Sequence, residues 1–240
     1  MFQLNKLLQI DLLLCPSICL LLAWASTSAE VLAAEPSSLR VKASMIAIPE
    51  AASKRLQEIL DPAALQILDA DGTARLTFWL PRSIAMKATP VQIKNGLTYR
   101  EIPETTLIGL VQVHDRWIDF RKQEIAEGLY TLRLAIQPEL GDHEGTTPHP
   151  EFALLVPLAE DPSDELMEVK DLVKKSRGST TTDHPAVLLL MPAHQAKAMP
   201  RLSAADGGIV VLGVQRKVAV GHQEAKLGFG FTVAGSSPSQ

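Results

Sequence analysis

At 240 residues, 46% of them apolar and 21% charged, the chain has the composition of an ordinary globular protein and the length for one large domain or two small ones. That balance excludes disorder throughout. The formal charge of -4 comes from 23 basic and 27 acidic residues interspersed along the chain, so there is no electrostatic reason to expect nucleic acid or an anionic membrane as a partner.

The first segment differs from the rest. Lys6 precedes an apolar run from Leu12 to Ala25, followed by Ser26, Thr27 and Ser28 and the small-residue stretch Val31-Leu32-Ala33-Ala34. This is the charged, apolar and cleavage-site order of a secretory signal, and cleavage is expected after Ala33, with Ala29 and Ala34 as near alternatives. The run falls short of the roughly 20 residues of a spanning helix. Both cysteines, Cys15 and Cys19, lie inside it, and Leu14 and Ile18 stand where a lipoprotein anchor needs a small residue. The mature chain, residues 34–240, is therefore expected to have no disulfide, no thiol catalysis and no cysteine-ligated metal. No later segment reaches about eighteen consecutive apolar residues, so no membrane span is expected after cleavage.

Residues 34–48 read as a lead-in with a first strand at 39–48. From Pro49 the run PEAASKRLQEIL reads as a helix with Leu56, Ile59 and Leu60 on one face, ended by Asp61-Pro62. Strands at 65–68 and 74–80 flank the turn signal Asp71-Gly72, and Leu76, Phe78 and Leu80 alternate with Arg75, Thr77 and Trp79, which implies one buried face. Strands at 106–113 and 117–120 bracket His114-Asp115-Arg116 as a second hairpin, whose Asp115, Arg116 and Asp119 near Trp117 read as a solvated turn with one anchoring aromatic. A further strand follows Gly128, with Tyr130, Leu132, Leu134 and Ile136 alternating.

Later come strands at 151–158 and 185–191, then a closing pair at 209–220 and 226–233. Gly228 and Gly230 share one face of the last strand and imply a segment packed closely over it. Between the middle strands, Asp161 as cap, Pro162, Asp164 and Glu165 near the positive end, and Lys174 and Lys175 near the negative end mark a helix. Its apolar stripe is Leu166, Val169, Leu172 and Val173. Residues 235–240 read as a disordered tail. These elements predict a mainly β fold: a β-sandwich-like domain with one or two helical excursions, preceded by a signal peptide.

Two segments thirty-five positions apart nearly repeat: Thr146-Thr147-Pro148-His149-Pro150 runs into EFALLVP, and Thr181-Thr182-Asp183-His184-Pro185 runs into AVLLLMP. Each reads as a polar loop with one histidine ahead of a buried strand. If the two strands are parallel, the histidines share one sheet edge. Asp142, His143, His149 and His184, with Asp183, would then form a nitrogen and oxygen set suited to a divalent transition metal. If the strands are antiparallel, the histidines sit at opposite edges. The spacing matches no established ligand motif, and turn chemistry ahead of strands accounts for these residues more simply. His222 with Glu224 lacks the cysteine pair of a zinc deaminase. No nucleophile elbow, phosphate loop or dinucleotide fingerprint occurs.

The segments EGLYTLRLAIQPELGDHEGTTPHPEFALLVPLAEDP and DHPAVLLLMPA resemble a family of exported bacterial proteins to which no activity is assigned. The shared pattern is Gly128 and Tyr130 on one strand, the loop Gly141-Asp142-His143, and the two apolar strands with the helix between them, over about residues 106–234. The resemblance implies export and a β-rich fold and carries over no functional residue. The functional expectation is a non-enzymatic, exported protein, periplasmic or extracellular, with no cofactor, that binds an envelope protein or a small ligand through its loops. The alternative is a metal-binding protein, hydrolytic or not, built on Asp142, His143, His149 and His184.

Overall fold

Short alternating apolar runs become thirteen strands among the described residues, which are 38–137, 149–193 and 198–236 of this computed structural model. In chain order they are β1 Arg40–Met45, β2 Ala63–Leu68, β3 Ala74–Trp79, β4 Ser83–Met86, β5 Leu107–Val113, β6 Trp117–Ile118 and β7 Glu124–Ile125. They continue with β8 Gly128–Ile136, β9 Glu151–Pro157, β10 Ala186–Pro192, β11 Arg201–Ala205, β12 Ile209–Val220 and β13 Gln223–Ala234. The helices are α1 Lys54–Ile59, α2 Pro90–Asn95 and α3 Val169–Arg177. Strands account for 48% and helical turns for 17% of the described residues, so the fold is mainly β. The expected signal segment, 1–33, and residues 237–240 lie outside the described residues. Among the described residues no helix is long and apolar enough to cross a membrane.

Eleven strands join in one sheet, ordered β1–β2–β3–β5–β8–β9–β10–β13–β12–β11, with β4 beside β12. Pairing is antiparallel except between β4 and β12. The sheet curls because β10 serves both halves: Ala186–Leu189 pair with β9, and Leu190–Pro192 pair with β13. Phe78 on β3 and Phe231 on β13 have four strands between them in the sheet order, yet their ring centroids lie 5.7 Å apart. The two layers of the expected sandwich are thus the halves of one continuous sheet. They enclose a core that includes Ile67, Phe78, Leu132, Leu188, Phe229 and Phe231.

The outer face is covered as well, which corrects the one-face expectation for the strand at 74–80. Thr77 and Trp79 are buried, and Trp79 packs with Leu56 of α1 and with Leu60 just after it while its Nε1 donates to the carbonyl of Ile46 at 3.0 Å. Helix α1 itself begins later than expected. Ser53 caps it by accepting from the amide of Leu56, so Pro49 lies outside. On the other flank, Leu172 of α3 packs on Leu154, Val156 and Val187.

Two further expectations are overturned by long-range pairing. Strand β6 pairs with β7, not with β5, because β5 is already flanked by β3 and β8. The turn between β6 and β7 closes on Asp119, whose carboxylate accepts from the amides of Arg121 and Gln123 at 2.8 Å each. Asp119 is therefore buried rather than solvated, while Trp117 does act as an anchor, donating to the carbonyl of Val233 at 3.1 Å.

The helix expected from Asp161 starts only at Val169. Asp161 is buried beneath it in an ion pair with Arg133 of β8, at 2.7 and 2.8 Å to its two oxygens, and accepts from Thr131 Oγ1 at 2.5 Å. The same guanidinium donates to the carbonyls of Ser163 at 2.5 Å and Glu165 at 2.8 Å. Those carbonyls would otherwise start a helical ladder, so residues 161–168 stay irregular and Leu166 is left exposed. Of the carboxylates assigned to a helix start, Asp161 thus belongs to a buried network and Asp164 to a surface pair with Arg55 at 2.9 Å.

Gly228 and Gly230 do have a close neighbour, but it is the paired strand alongside rather than a separate segment packed over their face. The end of β10 and Ala193 run against them, and a Cβ at Gly230 would lie 2.6 Å from the carbonyl oxygen of Met191. Helix α2, β4 and β11 have no counterpart in the expected elements, although Thr89 and Gln92 form a capping box that is legible in the sequence.

Candidate functional site

Where β9 starts, β10 ends and β13 passes beneath, the segment 96–100 leaves an open cleft of about 510 Å³. Thr98 and Glu101 shape that segment. Thr98 caps a single tight turn, and Glu101 accepts from its amide at 2.6 Å and its hydroxyl at 2.9 Å. The turn points Tyr99 inward and leaves Arg100 at the rim.

Tyr99 forms the floor. Its ring packs on Phe229 with centroids 5.3 Å apart, and its hydroxyl donates to the carbonyl of Met191 at 2.8 Å while accepting from the amide of Gly230 at 2.9 Å. The hydroxyl thus stands as a rung between β10 and β13. Burial pushes the phenol well above its ordinary value, so Tyr99 remains a neutral donor at any physiological pH. Replacing it with phenylalanine leaves both backbone groups without that partner. We expect Tyr99→Phe to cost about 1–3 kcal/mol in urea unfolding and to speed exchange of the Gly230 amide; unchanged exchange would remove Tyr99 from this role.

The rim carries the charge. Arg100 Nε lies 3.3 Å from Glu151 Oε1, the arginine side chain 58% exposed and the glutamate 12% exposed. The buried partner is thereby held in place while the guanidinium keeps most of its donors toward solvent. Lys226 and His149 stand on the same rim, with Leu97, Pro192 and Leu227 as apolar wall.

A second, more polar cleft of about 520 Å³ opens beside it, between β4, β12 and the end of α1. Arg216 Nη2 lies 3.0 Å from Asp61 Oδ2 and also donates to the carbonyl of Pro81, and Lys217 lies 3.7 Å from Glu224. Arg82 and Ser83 complete its edge.

His149 and His184 do not meet. The antiparallel register of β9 and β10 sets His149 near the level of Pro192 and His184 near the level of Pro157, at opposite ends of the pair. At ~3.3 Å per residue that separation is roughly 25 Å. His184 sits in an exposed turn, where its amide donates to Thr182 Oγ1 and its carbonyl accepts from Thr180 Oγ1. Asp142 and His143 lie outside the described residues, and among the described residues no group of three or more histidine, cysteine, aspartate or glutamate side chains gathers as a metal set. The four-residue set from the sequence is therefore not assembled through its two described histidines.

The sequence reading placed His149 but missed Tyr99, Arg100, Glu151 and Lys226, which come from three separate segments. Only the spacing of Thr98 and Glu101 was a local signal for the turn that presents two of them. No protein-family model, curated protein or solved structure matches this chain.

Proposed function

We propose that this chain is a non-enzymatic binding protein of the cell envelope that holds a small polar ligand in the cleft between residues 96–100, 149–151, 192–193 and 226–228. One observation carries the reading: a guanidinium, held by a mostly buried carboxylate, stands over an apolar wall in a cavity of about 510 Å³. Ligand sites commonly have roughly 300–1,000 Å³ and a few placed polar groups on an apolar lining. Arg100 and Glu151 are locked in an ion pair, which suits recognition. Export rests on the secretory pattern of residues 1–33.

Amide chemical shifts of residues 96–100 and 226–228, followed against a panel of small acids, amino acids and sugars, test the proposal. We expect at least one compound class to shift them, with Arg100→Gln weakening that binding about tenfold. If no compound moves these amides at millimolar concentration, the proposal fails.

The second reading, a metal-binding protein, is favoured by one feature: His149 and Glu151 line one rim, and Asp142 and His143 precede them in the sequence by fewer than ten positions. Stoichiometric zinc, copper or nickel in the untagged mature chain, lost on replacing His143 and His149 with alanine, would move the assignment to that reading.

A further inference from the structure

The two clefts share a border on the β12–β13 hairpin. Lys226, on the rim of the first, stands directly opposite Lys217, on the rim of the second. Residues paired in this way leave the same face of an antiparallel ladder, where like charges repel. Both lysines are exposed, so packing does not compel this arrangement. Local rules are most often broken where function requires it.

The charges around that border do not balance. Three cation–carboxylate pairs are present, Arg100–Glu151, Arg216–Asp61 and Lys217–Glu224. Arg82 and Lys226 belong to no ion pair among the described residues, so two positive charges stand in excess across the two clefts. The chain as a whole has a formal charge of -4, so this local excess runs against the overall sign. Lys217 also pairs in register with Ser83, which brings Arg82 to the same border from the β4 side.

Building on the binding role assigned to the first cleft, we propose that the two clefts form one site joined across Lys217 and Lys226, and that its ligand is a small molecule with two or more anionic groups. One group is held by Arg100 and Lys226, the other by Lys217 and Arg82. Phosphate and carboxylate groups share the required chemistry, charge-assisted acceptance of N–H donors.

Calorimetric titration of the mature chain with tripolyphosphate and citrate, against orthophosphate and acetate as single-group controls, tests this. We expect at least one of the two multi-group probes to bind about tenfold or more tightly than its control, and the better of them names the group chemistry. Lys217→Gln and Lys226→Gln should each weaken that probe about five- to tenfold with no fall in thermal midpoint, since both side chains are exposed. Equal affinity for multi-group and single-group probes, or full affinity in Lys217→Gln, overturns the joined site. Should Arg100→Gln weaken every probe while Lys217→Gln changes none, the first cleft stands as a binding site and the joined site falls. Should no probe bind, the joined site falls and the shift panel with neutral compounds decides the first cleft by itself.

Discussion

Asp161→Ala is expected to destabilise the protein by about 3–5 kcal/mol, the range for breaking a buried ion pair from one side. Arg133 and Asp161 are almost fully buried, and the carboxylate removed is the partner of two of the guanidinium's N–H groups. The remaining donors serve the carbonyls of Thr105, Ser163 and Glu165, so the charge has nowhere to move. Urea unfolding measures the loss. The double variant Arg133→Met/Asp161→Leu separates two contributions. It removes both charges, which by itself is often neutral, but it also strips three buried or half-buried carbonyls of their donor. We therefore expect the double variant to recover part of the stability and to remain about 1–3 kcal/mol below the parent. A loss under about 1 kcal/mol in Asp161→Ala would show that the pair does not hold residues 161–168 in their non-helical course.

Asp119→Ala is expected to cost about 2–4 kcal/mol, because a buried carboxylate there satisfies four N–H donors at once. These are the amides of Arg121, Gln123 and Val187 and the side-chain amide of Gln123, which also donates to the carbonyl of Pro185. Thr182 Oγ1 in turn donates to Gln123 Oε1. The residue thus fastens the β6–β7 hairpin to the start of β10, and exchange of the Val187 amide should accelerate in the variant. Burial pushes the Asp119 carboxyl above its usual range, and the donors that favour its charged form offset this only in part. A carboxyl raised on folding contributes stability that is complete below its unfolded value, near ~3.9, and is lost as pH rises through its folded value. The stability gap between parent and variant should accordingly narrow from acid toward neutral pH. A gap that widens over that range would show that the four donors outweigh burial.

Much of the strand pattern was legible because it is local. Tyr130, Leu132 and Leu134 alternate whatever they pack against, and Asp71-Gly72 makes a tight turn from its own backbone preferences, with Gly72 at φ 92°. The same locality misled the reading at residues 161–168. Capping residues and an apolar stripe favour a helix there, but their preference amounts to about 1 kcal/mol or less per residue, which a buried guanidinium drawing on Asp161, Ser163 and Glu165 exceeds. Of the candidate site, His149 was visible as a polar loop residue ahead of a strand. Its neighbours Arg100, Glu151 and Lys226 carried no shared motif, since the curl of the sheet brings them together from distant segments.

By itself the sequence determined that the chain builds short strands with at least one apolar face, where most of them begin and end, and that glycines on the last strand admit a close neighbour. Those properties follow from side-chain period, branching and turn residues, which act over a few positions. Only the tertiary structure decided that β9 and β10 run antiparallel, which separates His149 from His184. It alone decided that β6 takes β7 as its partner, and that Arg100, Glu151, Lys217 and Lys226 border two adjoining clefts. Strand direction, partner choice and the meeting of charges depend on which surfaces bury best against one another, and that balance is struck over the whole chain.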